Sequence, residues 1–117
     1  MKTYEECQLD IRYVAIKRST IETINHYVTN GLRPGSFCRA VLANDLVEAF
    51  ARADQENSFT MPAIASYLYN EIPGRHSGCW GSYEATAEWI RRGGMEGIAK
   101  AAKAAAEEKL DGEGHTQ

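Results

Sequence analysis

Apolar residues recur at every third or fourth position along most of this chain, in short runs that Gly, Pro or Asn-Gly repeatedly cut off. A period near 3.6 sets one greasy stripe on a helix, and frequent breakers keep each helix short, so the stripes must meet each other to be buried. Ser19-Thr20-Ile21-Glu22 has the S-x-x-E form that starts a helix, Ile21, Ile24 and Val28 repeat with Tyr27 beside them, and Asn30-Gly31 supplies an end that tolerates positive φ. Arg33-Pro34-Gly35 then makes a tight connection, and Ser36 is placed to cap a helix running to about Ala53. On a wheel of about 100° per residue, Cys38, Leu42, Leu46, Ala49, Phe50 and Ala53 fill an arc of about 120°, the width of a core-facing stripe. Asn44, Asp45, Glu48 and Arg52 fall on the other side with Phe37 and Val41.

The remaining segments read alike. Asp54 to Ser58 is polar and reads as a loop. Thr60-Met61-Pro62 starts a helix, because a proline in the first turn costs no hydrogen bond. Met61, Ile64, Ala65, Leu68 and Ile72 form its stripe, and Pro73-Gly74 ends it. Residues 74–81 are irregular. Ser82 caps a short helix carrying Ala85, Trp89 and Ile90, which Gly93-Gly94 breaks. Met95 to Leu110 is alanine-rich, with high helicity and little packing mass, and is suited to project from the body. At the other end Thr3-Tyr4-Glu5-Glu6 has the form of a capping box. It introduces a helix over 4–16, against a rival strand on the alternation of Leu9, Ile11, Tyr13 and Ala15. The expectation is an all-α, compact orthogonal bundle of about five short helices with an alanine-rich C-terminal helix. It forms a single domain over 1–111, and 112–117 is a flexible tail.

Composition removes whole classes of function. With 117 residues, 13 basic against 16 acidic side chains and a net charge of −3, the chain lacks the basic excess of a general nucleic-acid binder. No apolar run approaches the roughly 20 residues that span a bilayer, and no leader is visible. The three cysteines, Cys7, Cys38 and Cys79, are an odd number at long spacings, which reads as thiols in a reducing cytoplasm. G-x-S-x-G, P-loop and H-E-x-x-H motifs are all missing from the sequence, so no enzymatic role, cofactor or metal is expected. The only local nucleophile–base or ligand pairing is Cys79 with His76. The favoured reading of Cys79 is a small buried thiol packed in a tight loop. The basic pairs Lys17-Arg18 and Arg91-Arg92 would make a DNA-binding patch only if the fold joins them. The helix Met61 to Glu71, the one that would enter a groove, has no Lys or Arg.

What the sequence does offer is aromatic surface. Tyr and Trp dominate protein interfaces. Tyr67 and Tyr69 flank their stripe, so partial exposure is expected for both. Trp80, beside glycine, either plugs the core from its loop or faces a partner. Asp45, Glu48 and Arg52 form either a solvated face or a charged docking surface. The candidate partner-binding residues are therefore Asp45, Glu48, Arg52, Tyr67, Tyr69, Asn70 and Trp80, with a homo-oligomer through the alanine-rich helix also open.

Three segments taken together carry a resemblance. They are Leu32-Arg33-Pro34-Gly35-Ser36-Phe37 leading into Ala40-Val41-Leu42-Ala43-Asn44-Asp45-Leu46, then Ala51-Arg52-Ala53-Asp54 with Asn57, and then Tyr67-Leu68-Tyr69-Asn70 followed by Cys79-Trp80-Gly81-Ser82. Over about residues 19–90 this resembles a family of small orphan proteins of bacteriophages, prophages and mobile elements. The resemblance implies an accessory protein of a bacterial host cell's cytoplasm. Such a protein would bind and inhibit a host protein, with CRISPR–Cas and other defence components as the prominent targets. A small DNA-binding regulator is the alternative.

Overall fold

The computed structural model describes residues 1–72 and 78–109 in full and the backbone of 110–115. Among the described residues the chain is all-helical, with seven helices and no strand: α1 Tyr4–Cys7, α2 Arg18–Asn30, α3 Ser36–Leu42, α4 Leu46–Arg52, α5 Gln55–Glu71, α6 Tyr83–Arg92 and α7 Gly94–His115. The expected terminator Pro73-Gly74, most of the irregular loop, and His76 with its pairing to Cys79 lie outside the described residues.

Helix α2 is the centre of the body and lies against α1, α3, α6 and α7. Its stripe is the one read from the sequence: Ile21, Ile24, Tyr27 and Val28 are all buried. They pack with Cys7, Tyr13, Ile16, Leu42, Ile64, Tyr67, Leu68 and Trp89 into one core. Gly31 ends α2 in the left-handed conformation at φ 69°, as Asn30-Gly31 implies. Its start differs from expectation: Lys17 is the N-cap, no side chain caps the helix, and Ser19 already lies inside it.

Other expectations are corrected as well. The helix foreseen over 4–16 stops at Cys7. The capping box does form, with Thr3 Oγ1 accepting from the Glu6 N–H at 3.1 Å, but Asp10 then accepts from both the Arg12 N–H and its guanidinium. That local turn competes with the helical ladder. Residues 11–15 are turns, and Tyr13 and Ile16 enter the core while Leu9 and Ile11 stand 91% and 92% exposed, so neither helix nor strand describes the segment.

The helix foreseen from Ser36 to Ala53 is two. Asn44 adopts φ 62°, and the Asp45 N–H reaches back to the Ala40 carbonyl at 2.9 Å, a Schellman closure of α3 with asparagine in the left-handed place. Asp45 then caps α4 by accepting from Glu48 N–H. The break rotates α4 off the common wheel. Leu46 and Phe50, expected in the core stripe, are 65% and 45% exposed, whereas Phe37 and Val41 are half-buried.

The segment Asp54 to Ser58 is not a loop but the start of α5. Asp54 caps it by accepting from Asn57 N–H at 2.7 Å, so Pro62 sits inside the helix and not in its first turn. Pro62 is on the exposed side, where a carbonyl without its helical partner can turn to water. The break at Asn44 splits one foreseen helix into two, and the described helices number seven.

The C-terminal half follows the reading more closely. Ser82 caps α6 by accepting from Ala85 N–H, and Gly93 closes it at φ 81°. Helix α7 leaves the core after Ile98; its side chains from Ala99 to Lys109 are exposed, and its backbone stays helical through His115. No buried side-chain nitrogen or oxygen among the described residues lacks a hydrogen-bond partner.

Candidate groove between α4 and α5

The break at Asn44 opens a groove. Helices α3 and α4 form one wall, α5 the other, and the Trp80 loop closes one part of the lining. Ala49, Met61 and Leu68 are its buried floor. Val41, Asp45 and Trp80 are half-buried walls, and Leu46, Ala65 and Tyr69 stand exposed at its rim. It encloses about 310 Å³ and is open on its solvent side. Beside it Val47 is 80% exposed and Phe50 45%, so the outer face of α4 is apolar although it meets water. Contiguous exposed apolar surface on a small domain marks an interaction site.

The Trp80 loop is stitched to three helices. Gly81 N–H donates to the Leu42 carbonyl at 2.7 Å, the Trp80 indole N–H to the Ile72 carbonyl at 3.4 Å, and the Tyr27 hydroxyl to the Cys79 carbonyl. Trp80 is half-buried: it packs against the core and also lines the groove.

Of the seven candidate residues, three meet in this groove: Asp45, Tyr69 and Trp80. Tyr69 is 65% exposed. Asp45 caps α4 and accepts from the Tyr83 hydroxyl at 2.7 Å. Glu48 and Arg52 lie on the other flank of α4, joined to each other at 2.7 Å. Asn70 donates back to the Ser66 carbonyl one turn earlier on the exposed side of α5. Tyr67 is corrected outright. It is fully buried, its ring meets Tyr13 edge-on at 5.3 Å between centroids, and its hydroxyl is shared among Asn25 and the Lys2 backbone. Burial pushes its pKa up to about 12.

Leu46 at the rim and Phe50 beside it are hidden from sequence reasoning because a continuous wheel assigns both to the core. The signal that reveals them is Asn44-Asp45 followed by Glu48. It combines a left-handed stop with a D-x-x-E start in the middle of a supposed helix.

The basic pairs do not form a patch. Lys17 is joined to Asp54, Arg18 to Glu5 and Glu22, and both Arg91 and Arg92 to Glu88. The guanidiniums hold Glu88 well below the usual carboxylate range, at about 2. Cys7, Cys38 and Cys79 are all buried, and burial drives the Cys38 thiol up to about 12. Such a thiol is a packing group and a poor nucleophile at neutral pH. Among the described residues no three His, Cys, Asp or Glu side chains converge as metal ligands would, and no helix is long and apolar enough to cross a membrane. The chain matches no protein-family model, no curated protein sequence and no solved structure.

Proposed function

We propose that this protein acts by binding: it occupies a protein of its bacterial host through the α4–α5 face and inhibits it, performing no chemistry of its own. The observation that carries the reading is that Tyr69 and Trp80 line one groove with the exposed Leu46, while Val47 and Phe50 on the same helix as Leu46 also meet water. Tyr and Trp at the edge of an apolar depression are the usual anchors of a protein interface. The resemblance to phage and prophage orphan proteins supplies the cytoplasmic setting and the class of target, a defence component such as a CRISPR–Cas complex. Duplex DNA is the weaker reading, because the paired lysines and arginines named above are already neutralised by carboxylates.

The test is affinity capture from host lysate with the wild-type chain, Tyr69→Ala and Leu46→Asp. All three should melt alike, since both positions are exposed. A specific partner should be recovered by the wild type and lost with either variant. Recovery of the same proteins by all three, or of none, would overturn the proposal.

A further inference from the structure

We infer that the α4–α5 groove takes a basic amphipathic helix, a segment with an apolar stripe flanked by Lys or Arg. The inference rests on the binding role proposed above and names the chemistry of the partner. Its first support is the architecture of the walls. Both are helices whose backbone donors and acceptors are spent internally, and the described residues contain no strand edge to extend. Recognition must then pass through side chains, and the mode that suits two helical walls is a third helix laid between them with anchors at i, i+3, i+4 and i+7.

Its second support is size. About 310 Å³ lies at the lower limit, roughly 300 Å³, of pockets that enclose a small ligand on most sides. Open along one side, the groove suits a short row of aliphatic side chains resting on Ala49, Met61 and Leu68. Ala49 in the floor and Ala65 at the rim are small and leave room for an approaching helix.

Its third support is charge. Among the described residues Asp45 is the only charged one lining the groove, and it is an acid. Helix α5 carries Glu56 and Glu71 with no Lys or Arg, Glu71 being held by the Tyr13 hydroxyl at 2.9 Å; on the other wall Arg39 of α3 lies over the Tyr83 ring and Arg52 of α4 is bound to Glu48. With an acid at Asp45 and no cation on α5, a partner flanked by ammonium or guanidinium groups is favoured here over one flanked by carboxylates.

The experiment is calorimetric titration of the full chain with two synthetic 18-residue peptides at about 0.15 M salt, near-physiological screening. Both peptides place Leu at i, i+3, i+4 and i+7; one fills the flanks with Lys, the other with Glu. The Lys peptide should bind at least tenfold more tightly. Two variants separate the groove from general attraction to an acidic protein. Ala65→Gln narrows the groove without changing net charge, and Leu46→Ser removes a rim contact; each should weaken the Lys peptide at least tenfold while melting like the wild type. Equal affinity for the two peptides, no binding of either, or Lys-peptide binding indifferent to both variants would sink the inference. So would light scattering showing a dimer that Ala65→Gln dissociates, since a second copy would then hold the groove. Should the peptides fail while host-partner capture remains sensitive to Leu46→Asp, the binding role stands and the basic-helix assignment falls.

Discussion

At the scale of single residues, a few polar contacts hold the interior and leave no buried side-chain nitrogen or oxygen unsatisfied among the described residues. Thr20 and Asn57, 3% and 6% exposed, meet at 2.7 Å with the hydroxyl donating to the amide oxygen, and so join α2 to α5. Thr20→Val keeps the shape and removes the donor, leaving the Asn57 oxygen buried without it. Chemical denaturation should show a loss of about 1–3 kcal/mol. A change within about 0.5 kcal/mol, the range of ordinary surface substitutions, would mean the pair is solvated after all. Neither partner is legible in the sequence. Thr20 looks like part of a capping box and Asn57 like a loop residue, because a contact between positions 37 apart leaves no local mark. Tyr67 was misread for the same reason. A wheel places it beside the stripe of its own helix, but Tyr13, arriving from a distant turn, covers it.

At the scale of elements, periodicity located helices well and breakers less well. The cores of α2, α5 and α6 follow from their apolar spacing, and Gly31 and Gly93 close their helices as glycine should. What escaped was the stop at Asn44, made by a left-handed backbone, and the starts at Asp45 and Asp54, made by side-chain bonds, none of which a hydrophobic pattern records. The junction of α2 with α7 shows how exacting an end can be. A methyl group added at Gly31 would sit 2.6 Å from the Gly94 nitrogen and 2.7 Å from the Gly93 carbonyl carbon, with φ already at +69°. Backbone meets backbone there, so nothing flexible can yield. Gly31→Ala combines left-handed strain of about 1–2 kcal/mol with overpacking of about 1–3 kcal/mol. The expected result is a loss of at least about 2 kcal/mol in equilibrium unfolding. Gly35→Ala, where a methyl meets nothing within 4 Å, should differ little from the wild type. Equal stability of the two variants would show that α7 does not cross α2 this closely.

At the scale of the whole molecule, the all-helical class was written in the spacing of apolar residues, while the groove arose from the one break that spacing cannot reveal. The buried titratable groups set a global alkaline limit. Burial holds Tyr67 and Cys38 up to about 12, and Tyr27 is raised further, mainly by burial. In the unfolded chain such groups ionise near pH 8.5 for a thiol and about 10 for a phenol. The folded state thus retains protons that the unfolded state releases. The stabilisation is complete below about pH 8.5 and fades as pH climbs toward about 12. Melting temperature should be level from about pH 6 to 8.5 and fall steadily above about pH 9, with late phenolate absorbance appearing as the fold is lost. An unchanged melting point at about pH 11 would contradict the burial of these three groups. The two tryptophans divide the molecule optically. The Trp89 indole N–H is shared by the Tyr27 and Val28 carbonyls at 3.1 Å in the interior, while Trp80 borders the groove. Acrylamide should therefore quench one emitter and spare the other, so that the native chain carries separate chromophores for occupancy of its surface and integrity of its core.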